Sequence, residues 1–267
     1  MSTTSYRYPN EILILTITLI LVLAVIGLTA VATICGSVIF VAAMVALSYI
    51  YTRSHHQSLM ASAQQITLSS APSLAALIQD SASRLKPGPF DAYVVPEDVL
   101  NAYTFGLSSP KVVVLYAGLL KVMDEDELRF VAGHEMGHIC LGHTWLNSLV
   151  GGMAGIPSPS AASALLVLAF MSWNRACEFS ADRAGMLACG KPEKAISALV
   201  KLVAAKRNLS TSEMEHYLKR FDAEDDNLLS DLSELLATHP MMIHRIEQLR
   251  RYAASAEYKR LAAQMNR

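Results

Sequence analysis

The chain has 267 residues, 52% of them apolar, which is enough for one sizeable core together with membrane segments. Its 22 basic and 23 acidic residues leave a net charge of −1 and no large basic stripe, which argues against nucleic acid as a partner. Cys35, Cys140, Cys177 and Cys189 have neither disulfide nor zinc-finger spacing and read as small apolar fillers in a reducing compartment.

The amino end comes first. From Ile12 to Ile50 no residue is charged, a run longer than the roughly 20 residues of one membrane helix and suited to two. It predicts a transmembrane helical hairpin, the anchor being residues 1–52, with its turn at Thr29–Thr33. A hairpin returns the chain to its starting side. Arg7, Arg53, Arg84 and Lys86 flank it while the turn has no charge, so the positive-inside rule puts the rest of the protein on the cytoplasmic side, at the inner membrane if the chain is bacterial. A cleaved signal peptide, with Ala30-Val31-Ala32 as the processing site, is the rival reading; the second apolar stretch that follows at once weighs against it.

Residues 53–90 read as a linker. It carries an amphipathic helix around Leu74, Ala75, Leu77 and Ile78 that ends at the turn Lys86-Pro87-Gly88-Pro89. Three short β-branched or alternating segments, 91–95, 102–105 and 111–115, predict a small sheet that opens a domain over 91–267.

The most informative stretch follows it. Asp124 and Glu127 form a capping box that starts a helix, and on that helix lies His134-Glu135-Met136-Gly137-His138. Four residues are about 400° of helical rotation, so both imidazoles share one face and can close on one metal ion. The carboxylate between them matches the H-E-x-x-H arrangement of zinc peptidases. His143 is nine residues beyond His134, about 900° of a continuous helix, and is expected to point away as a surface or helix-end residue.

Residues 145–173 contain no charge and are interrupted by Gly151-Gly152, Gly155, Pro157 and Pro159. This stretch is short for two crossings at roughly 20 residues each and reads as an apolar, membrane-facing helical pair broken at Ile156–Pro159, or as a buried helix hairpin. Beyond it, Glu178 and Asp182 are again four apart on a helix-compatible segment. Alone they would be a solvated helix face. Behind the first motif, Glu178 is the better third ligand and Asp182 a carboxylate that can fix the tautomer of a liganding histidine. Further on, residues 195–202 are strongly helical in pattern, 222–227 form an acidic loop, and Arg250, Arg251, Lys259, Arg260 and Arg267 read as a solvated helix with a weak pull toward anionic lipid.

Taken in order, Asn101-Ala102-Tyr103-Thr104-Phe105-Gly106, Gly118-Leu119-Leu120 leading into His134–His138, Glu178 through Asp182, and Thr238-His239-Pro240 followed by Arg245-Ile246 give the chain a resemblance. It resembles the HtpX family of membrane zinc endopeptidases, relatives of the type I CAAX prenyl proteases and the mitochondrial Oma proteases. The resemblance covers roughly residues 91 to 250. It departs from HtpX at 145–173, where that family has two further spans.

The resemblance implies one Zn²⁺ per chain held by His134, His138 and Glu178, an edge strand at 101–106 that binds substrate backbone, and His239 or Arg245 as donor to the developing oxyanion. It implies an α+β, mainly helical fold, with the transmembrane hairpin followed by a zincin domain of the gluzincin type. Zinc with three protein ligands keeps a fourth position for a water whose pKa falls to about 7, and Glu135 is placed to take that water's proton. The expected activity is endoproteolysis of unfolded or membrane proteins in quality control, with a peptide substrate and the bilayer as partners. A catalytically silent zinc scaffold, an intramembrane protease and a prenyl-protein processing enzyme are the competing readings. An intact Glu135 speaks against the first, and the charges at 124–129 against lipid burial of the motif helix.

Overall fold

The computed structural model describes residues 3–32, 36–150, 161–206 and 240–265. Two apolar helices open the chain, α1 (Glu11–Ala32) and α2 (Gly36–Met60). Glu11–Ala30 and Val38–Met60 are long and apolar enough to cross a membrane. The rest of the protein leaves large side chains on both uncovered, among them Ile17, Ile20, Leu23 and Leu28 on α1 and Ile39, Phe40, Leu47 and Ile50 on α2. The expected turn at Thr29–Thr33 is displaced, since the chain is helical through Ala32 and Thr33 lies outside the described residues. Helix α2 does not stop at the expected anchor boundary of residue 52: between Tyr51 and Met60 no Gly or Pro interrupts it, and it runs on into the expected linker.

The helix of the linker is α3 (Pro72–Leu85). Pro72 occupies its first turn, where a missing N–H costs nothing, and Lys86 ends it in the left-handed region at φ 54°, donating its N–H to the carbonyl of Ala82. Leu77, Ile78 and Leu85 are buried on its inner face.

Strands β1 (Gln64–Gln65), β2 (Phe90–Val95), β3 (Ala102–Phe105) and β4 (Lys111–Tyr116) form one mixed sheet in the order β1-β2-β4-β3. The three longer strands lie where β-branched patterning put them; β1 is two residues long, too short to show a period. β2 and β4 are parallel, while β3 pairs antiparallel to β4 and forms the sheet edge. Val113, Val114 and Leu115 of β4 are fully buried. The alternation of β3 directs Thr104 to one face, and Tyr103 and Phe105 to the other. There the ring of His56 on α2 stacks on Phe105 at 4.2 Å between centroids and its Nδ1 lies 3.2 Å from the Tyr103 hydroxyl.

Next come α4 (Ala117–Val122), α5 (Glu125–Cys140), α6 (His143–Val150), α7 (Ala161–Cys189), α8 (Pro192–Lys206), α9 (Pro240–Ala254) and α10 (Ala256–Met265). The capping box of α5 is formed as expected: the Asp124 carboxylate accepts from the N–H groups of Asp126 and Glu127, and Glu127 accepts from the N–H of Asp124. The break expected at Ile156–Pro159 and the acidic loop at 222–227 lie outside the described residues. Helix α7 runs unbroken from Ala161, so the end of the apolar stretch and the Glu178/Asp182 segment are one helix.

Among the described residues, helices α5 and α7 share the most extensive contact of any two elements. The approach depends on residues without side-chain bulk. A Cβ on Gly133 would sit 2.4 Å from the Cβ of Ala188, and one on Gly137 would sit 2.7 Å from the Cβ of Ala184. Neither alanine can yield without moving its backbone. Gly133→Ala gains about 1 kcal/mol of helix propensity, but overpacking costs typically about 1–3 kcal/mol, and contacts this short fall at the upper end. A net loss of stability in thermal unfolding is therefore expected, whereas Gly88→Ala, with nothing within 4 Å of the new carbon, should melt like the parent. A Gly133→Ala protein as stable as the parent would contradict the close seam.

Candidate metal centre

The α5–α7 seam puts one turn of each helix face to face. His134 and His138 on α5 and Glu178 on α7 converge, with one ligand atom from each lying within 4.8 Å of the others. The two Nε2 atoms are 3.2 Å apart, and Glu178 oxygens lie 3.6 Å from His134 Nε2 and 3.5 Å from His138 Nε2. Two nitrogens bound to a tetrahedral zinc at about 2.0–2.1 Å are themselves about 3.3 Å apart, so the triangle has the size of a tetrahedron face. His134 and His138 are 8% and 7% exposed, and Glu178 is partly buried.

The outer nitrogens decide the tautomers. His134 Nδ1 lies 2.9 Å from Asp182 Oδ1, and a carboxylate can only accept, so the hydrogen is on Nδ1 and Nε2 offers its lone pair inward. His138 Nδ1 lies 3.0 Å from His143 Nδ1. Two Nε2 atoms facing each other across 3.2 Å, with a carboxylate closing the triangle, form a donor set that suits a cation.

Asp182 is 2% exposed and does not stand alone. Arg245 on α9 donates to it twice, Nε at 2.8 Å and Nη2 at 2.6 Å, and its Nη1 lies 2.9 Å from Glu178. Burial opposes ionisation of Glu178, yet the Arg245 guanidinium and the two imidazoles hold its carboxyl well below the usual carboxylate range. Asp182 is likewise held down against its burial by Arg245 and His134. Arg245, expected with His239 as one of two candidate donors to a reacting oxygen, directs Nε, Nη1 and Nη2 toward two carboxylates. His239, the alternative donor, lies outside the described residues.

Glu135 is not part of the triangle. It is 6% exposed, and its Oε2 accepts a hydrogen bond of 2.6 Å from the Thr104 hydroxyl on the edge strand β3. A cleft of about 350 Å³ joins these groups, lined by Asn101, Tyr103, Thr104, Glu135, Glu178 and Arg245 among others. The Tyr116 N–H donates to the carbonyl of Asn101. With Tyr103 opposite Val114 and Phe105 opposite Val112, alternation leaves the backbone groups of Ala102 and Thr104 facing away from β4, on the free edge. Gly106, the last residue of the expected strand, donates its N–H to Ser148 on α6 and has a φ of 132°.

His143 is where the sequence expectation fails. It is 2% exposed and sits beside His138, not on the surface. The continuous helix on which that expectation rested ends at Cys140; Gly142 takes a positive φ of 79° and α6 starts afresh at His143, turning its ring back. Burial, with the neighbouring His138 adding to it, pushes its pKa down to about 4. The sequence signal was Gly142, a residue that ends helices. Glu11, which lies 3.0 Å from His143 Nε2, was missed altogether.

Residues 70–253 match peptidase family M48. The chain is 27% identical over 205 residues to the plastoglobule-localized metallopeptidase 48, chloroplastic, of Arabidopsis thaliana, covering 72% of this chain and 60% of that protein, less than two thirds of its length. It is 27% identical over 220 residues to a protease HtpX homolog of Methylibium petroleiphilum, covering 71% of this chain and 78% of that one. A protease HtpX homolog of Thermococcus kodakarensis is 29% identical over 217 residues, covering 68% and 74%.

Asp182→Ala is expected to weaken metal binding by roughly 10–100-fold, the usual effect of removing a carboxylate behind a liganding histidine, and competition with a chelator of known affinity measures it. Unchanged affinity would show that Asp182 serves only the packing of Arg245.

Proposed function

The chain belongs to peptidase family M48, and on that premise we propose that it is a membrane-anchored, zinc-dependent endopeptidase acting on unfolded or membrane proteins in quality control. The observation that carries this reading is the convergence of His134, His138 and Glu178 beside a carboxylate, Glu135, that is not one of the three. Two imidazoles and one carboxylate at tetrahedral spacing suit zinc, and three protein ligands leave one position open. Bound there, zinc supplies a Lewis acid for the scissile carbonyl and makes a water acidic enough to attack at neutral pH.

The chain's own groups do the rest. Glu135 takes the attacking water's proton and delivers it to the leaving amine. Thr104 aims that carboxylate: its hydroxyl occupies Oε2, leaving Oε1 for the proton. An extended substrate adds a strand to the edge at Ala102 and Thr104, which brings its carbonyl past Glu135. Arg245 keeps Glu178 and Asp182 ionised and oriented, and His239 is the proposed donor to the oxyanion. A silent zinc scaffold needs no base held by a hydroxyl in a cleft, so the Thr104–Glu135 bond favours the enzyme.

The charge-free parts of α1 and α2, which end before Arg53, are the proposed anchor, and the last turns of α2 lie beyond it. Apolar helices that the protein leaves uncovered are stable when lipid covers them, at about 25 cal/mol per Å² removed from water. Both ends of the pair and the catalytic domain then share one side of the membrane, and the basic flanks assign that side to the cytoplasm.

Two outcomes test the reading. Glu135→Gln is expected to keep the bound metal and to lose at least roughly 100-fold in cleavage of an unfolded protein, the usual share of a general base; Thr104→Val should keep the metal and lose roughly tenfold in kcat, one charge-assisted hydrogen bond. Full activity of Glu135→Gln would refute the mechanism. For topology, accessible tags at the amino terminus, at residue 88 and at the carboxyl terminus should all report the same side, and tags on opposite sides before and after the two helices would exclude a hairpin.

A further inference from the structure

A carboxylate at the mouth of an apolar helix is expected in water, but Glu11, the first residue of α1, is 1% exposed. Burial of a charge requires partners, and Glu11 has three: Arg7 donates to Oε1, Ser180 on α7 donates to Oε2, and His143 Nε2 lies 3.0 Å from Oε1. The segment before α1 is fastened to the domain as well. The N–H of Tyr8 donates to Ser180 Oγ at 2.7 Å, and Arg7 Nη2 donates to the carbonyl of Leu141 at 3.1 Å.

Hydrogen placement follows from the partners. Glu11 can only accept, so His143 Nε2 carries a hydrogen. Between the facing Nδ1 atoms of His143 and His138, 3.0 Å apart, there is room for one hydrogen. If His138 supplies it, His138 Nε2 is left with a lone pair that points at Glu178 and His134. If His143 supplied it, His138 Nε2 would carry a hydrogen and could not ligate. The Glu11–His143 pair therefore does for His138 what Asp182 does for His134, with one imidazole interposed. Each chain ends on a buried carboxylate that is in turn held by an arginine, Arg7 at one end and Arg245 at the other.

We infer that Glu11, acting through His143, is a positioning residue for His138, so that the amino-terminal helix carries part of the metal site. This rests on the assignment of His134, His138 and Glu178 as ligands. Glu11 lies outside the matched span 70–253, and the contact joins two parts of the chain that the sequence leaves separate. Glu11, His143 and Cys177 also come within 4.8 Å of one another. A second cation there is disfavoured, because the Arg7 guanidinium already neutralises Glu11 and both nitrogens of His143 are engaged.

The test uses the full chain in detergent, with zinc affinity measured by chelator competition and the visible absorption of the Co²⁺-substituted protein as a second readout. Asn at 143 places a carbonyl oxygen close to the position of Nδ1 and can still accept from His138; Leu cannot. His143→Leu and Glu11→Ala are expected to weaken zinc binding by roughly 10–100-fold and to shift the Co²⁺ bands, while His143→Asn and Glu11→Gln should recover most of the loss. The recovery separates positioning from folding, since all four substitutions disturb the same packing. Equal affinity in all four variants and the parent, or equal losses in His143→Leu and His143→Asn, would overturn the inference. A parent protein that binds neither Zn²⁺ nor Co²⁺ would instead overturn the ligand assignment on which it rests.

Discussion

The closeness of α5 to α7 is the constraint from which the rest follows. Ligand atoms on two helices reach one point only if the helix axes are near enough, and imidazole and carboxylate side chains are short. Gly133 and Gly137 on α5 meet Ala181, Ala184 and Ala188 on α7, so backbone approaches backbone where the ligands are carried. The glycines are interleaved with the histidines, one residue before each. A larger residue at either position would push α7 outward and open the 3.5 and 3.6 Å separations between Glu178 and the imidazoles. The small residues thus set the size of the proposed metal site, although none of them touches it.

A site this buried gathers more negative charge than the protein interior tolerates. Glu178, Asp182 and Glu11 lie close together with three imidazoles among them, and desolvation opposes each carboxylate. Two arginines from opposite ends of the chain offset this, Arg7 from before α1 and Arg245 from α9. Removing one member of a buried pair leaves an uncompensated charge and typically costs about 3–5 kcal/mol. The site therefore depends on both ends of the sequence being folded onto α7, and it couples folding of the domain to the proposed metal binding.

How much of this was legible depended on whether the signal was local. The capping box Asp124/Glu127, the strands at 91–95, 102–105 and 111–115, and the face shared by His134 and His138 are read from neighbours within one helical turn or one strand pair, and the fold has them as expected. Glu178 and Asp182 shared a face by the same rule, but their approach to α5 required a reason from the motif itself. His143 was misplaced because helical periodicity was extended past Gly142, where the backbone turns. Glu11 was unreadable: a carboxylate next to an apolar run looks like a flank of a membrane helix, and nothing local shows that a histidine 132 positions away will donate to it.

The burial of Glu11 also bears on what the proposed anchor does. A tether needs only length and apolarity, and its position relative to the catalytic domain is free. Here Tyr8 packs on Phe179 with ring centroids 4.9 Å apart, Glu11 is sealed beneath the surface, and the apolar surface begins at the next residue, Ile12, which is 53% exposed. If lipid covers that surface, the bilayer boundary is only two imidazole rings from the proposed metal. His56 near the other end of the pair stacks on Phe105 and lies against the Tyr103 hydroxyl, so the edge strand proposed to bind substrate is held by α2 itself.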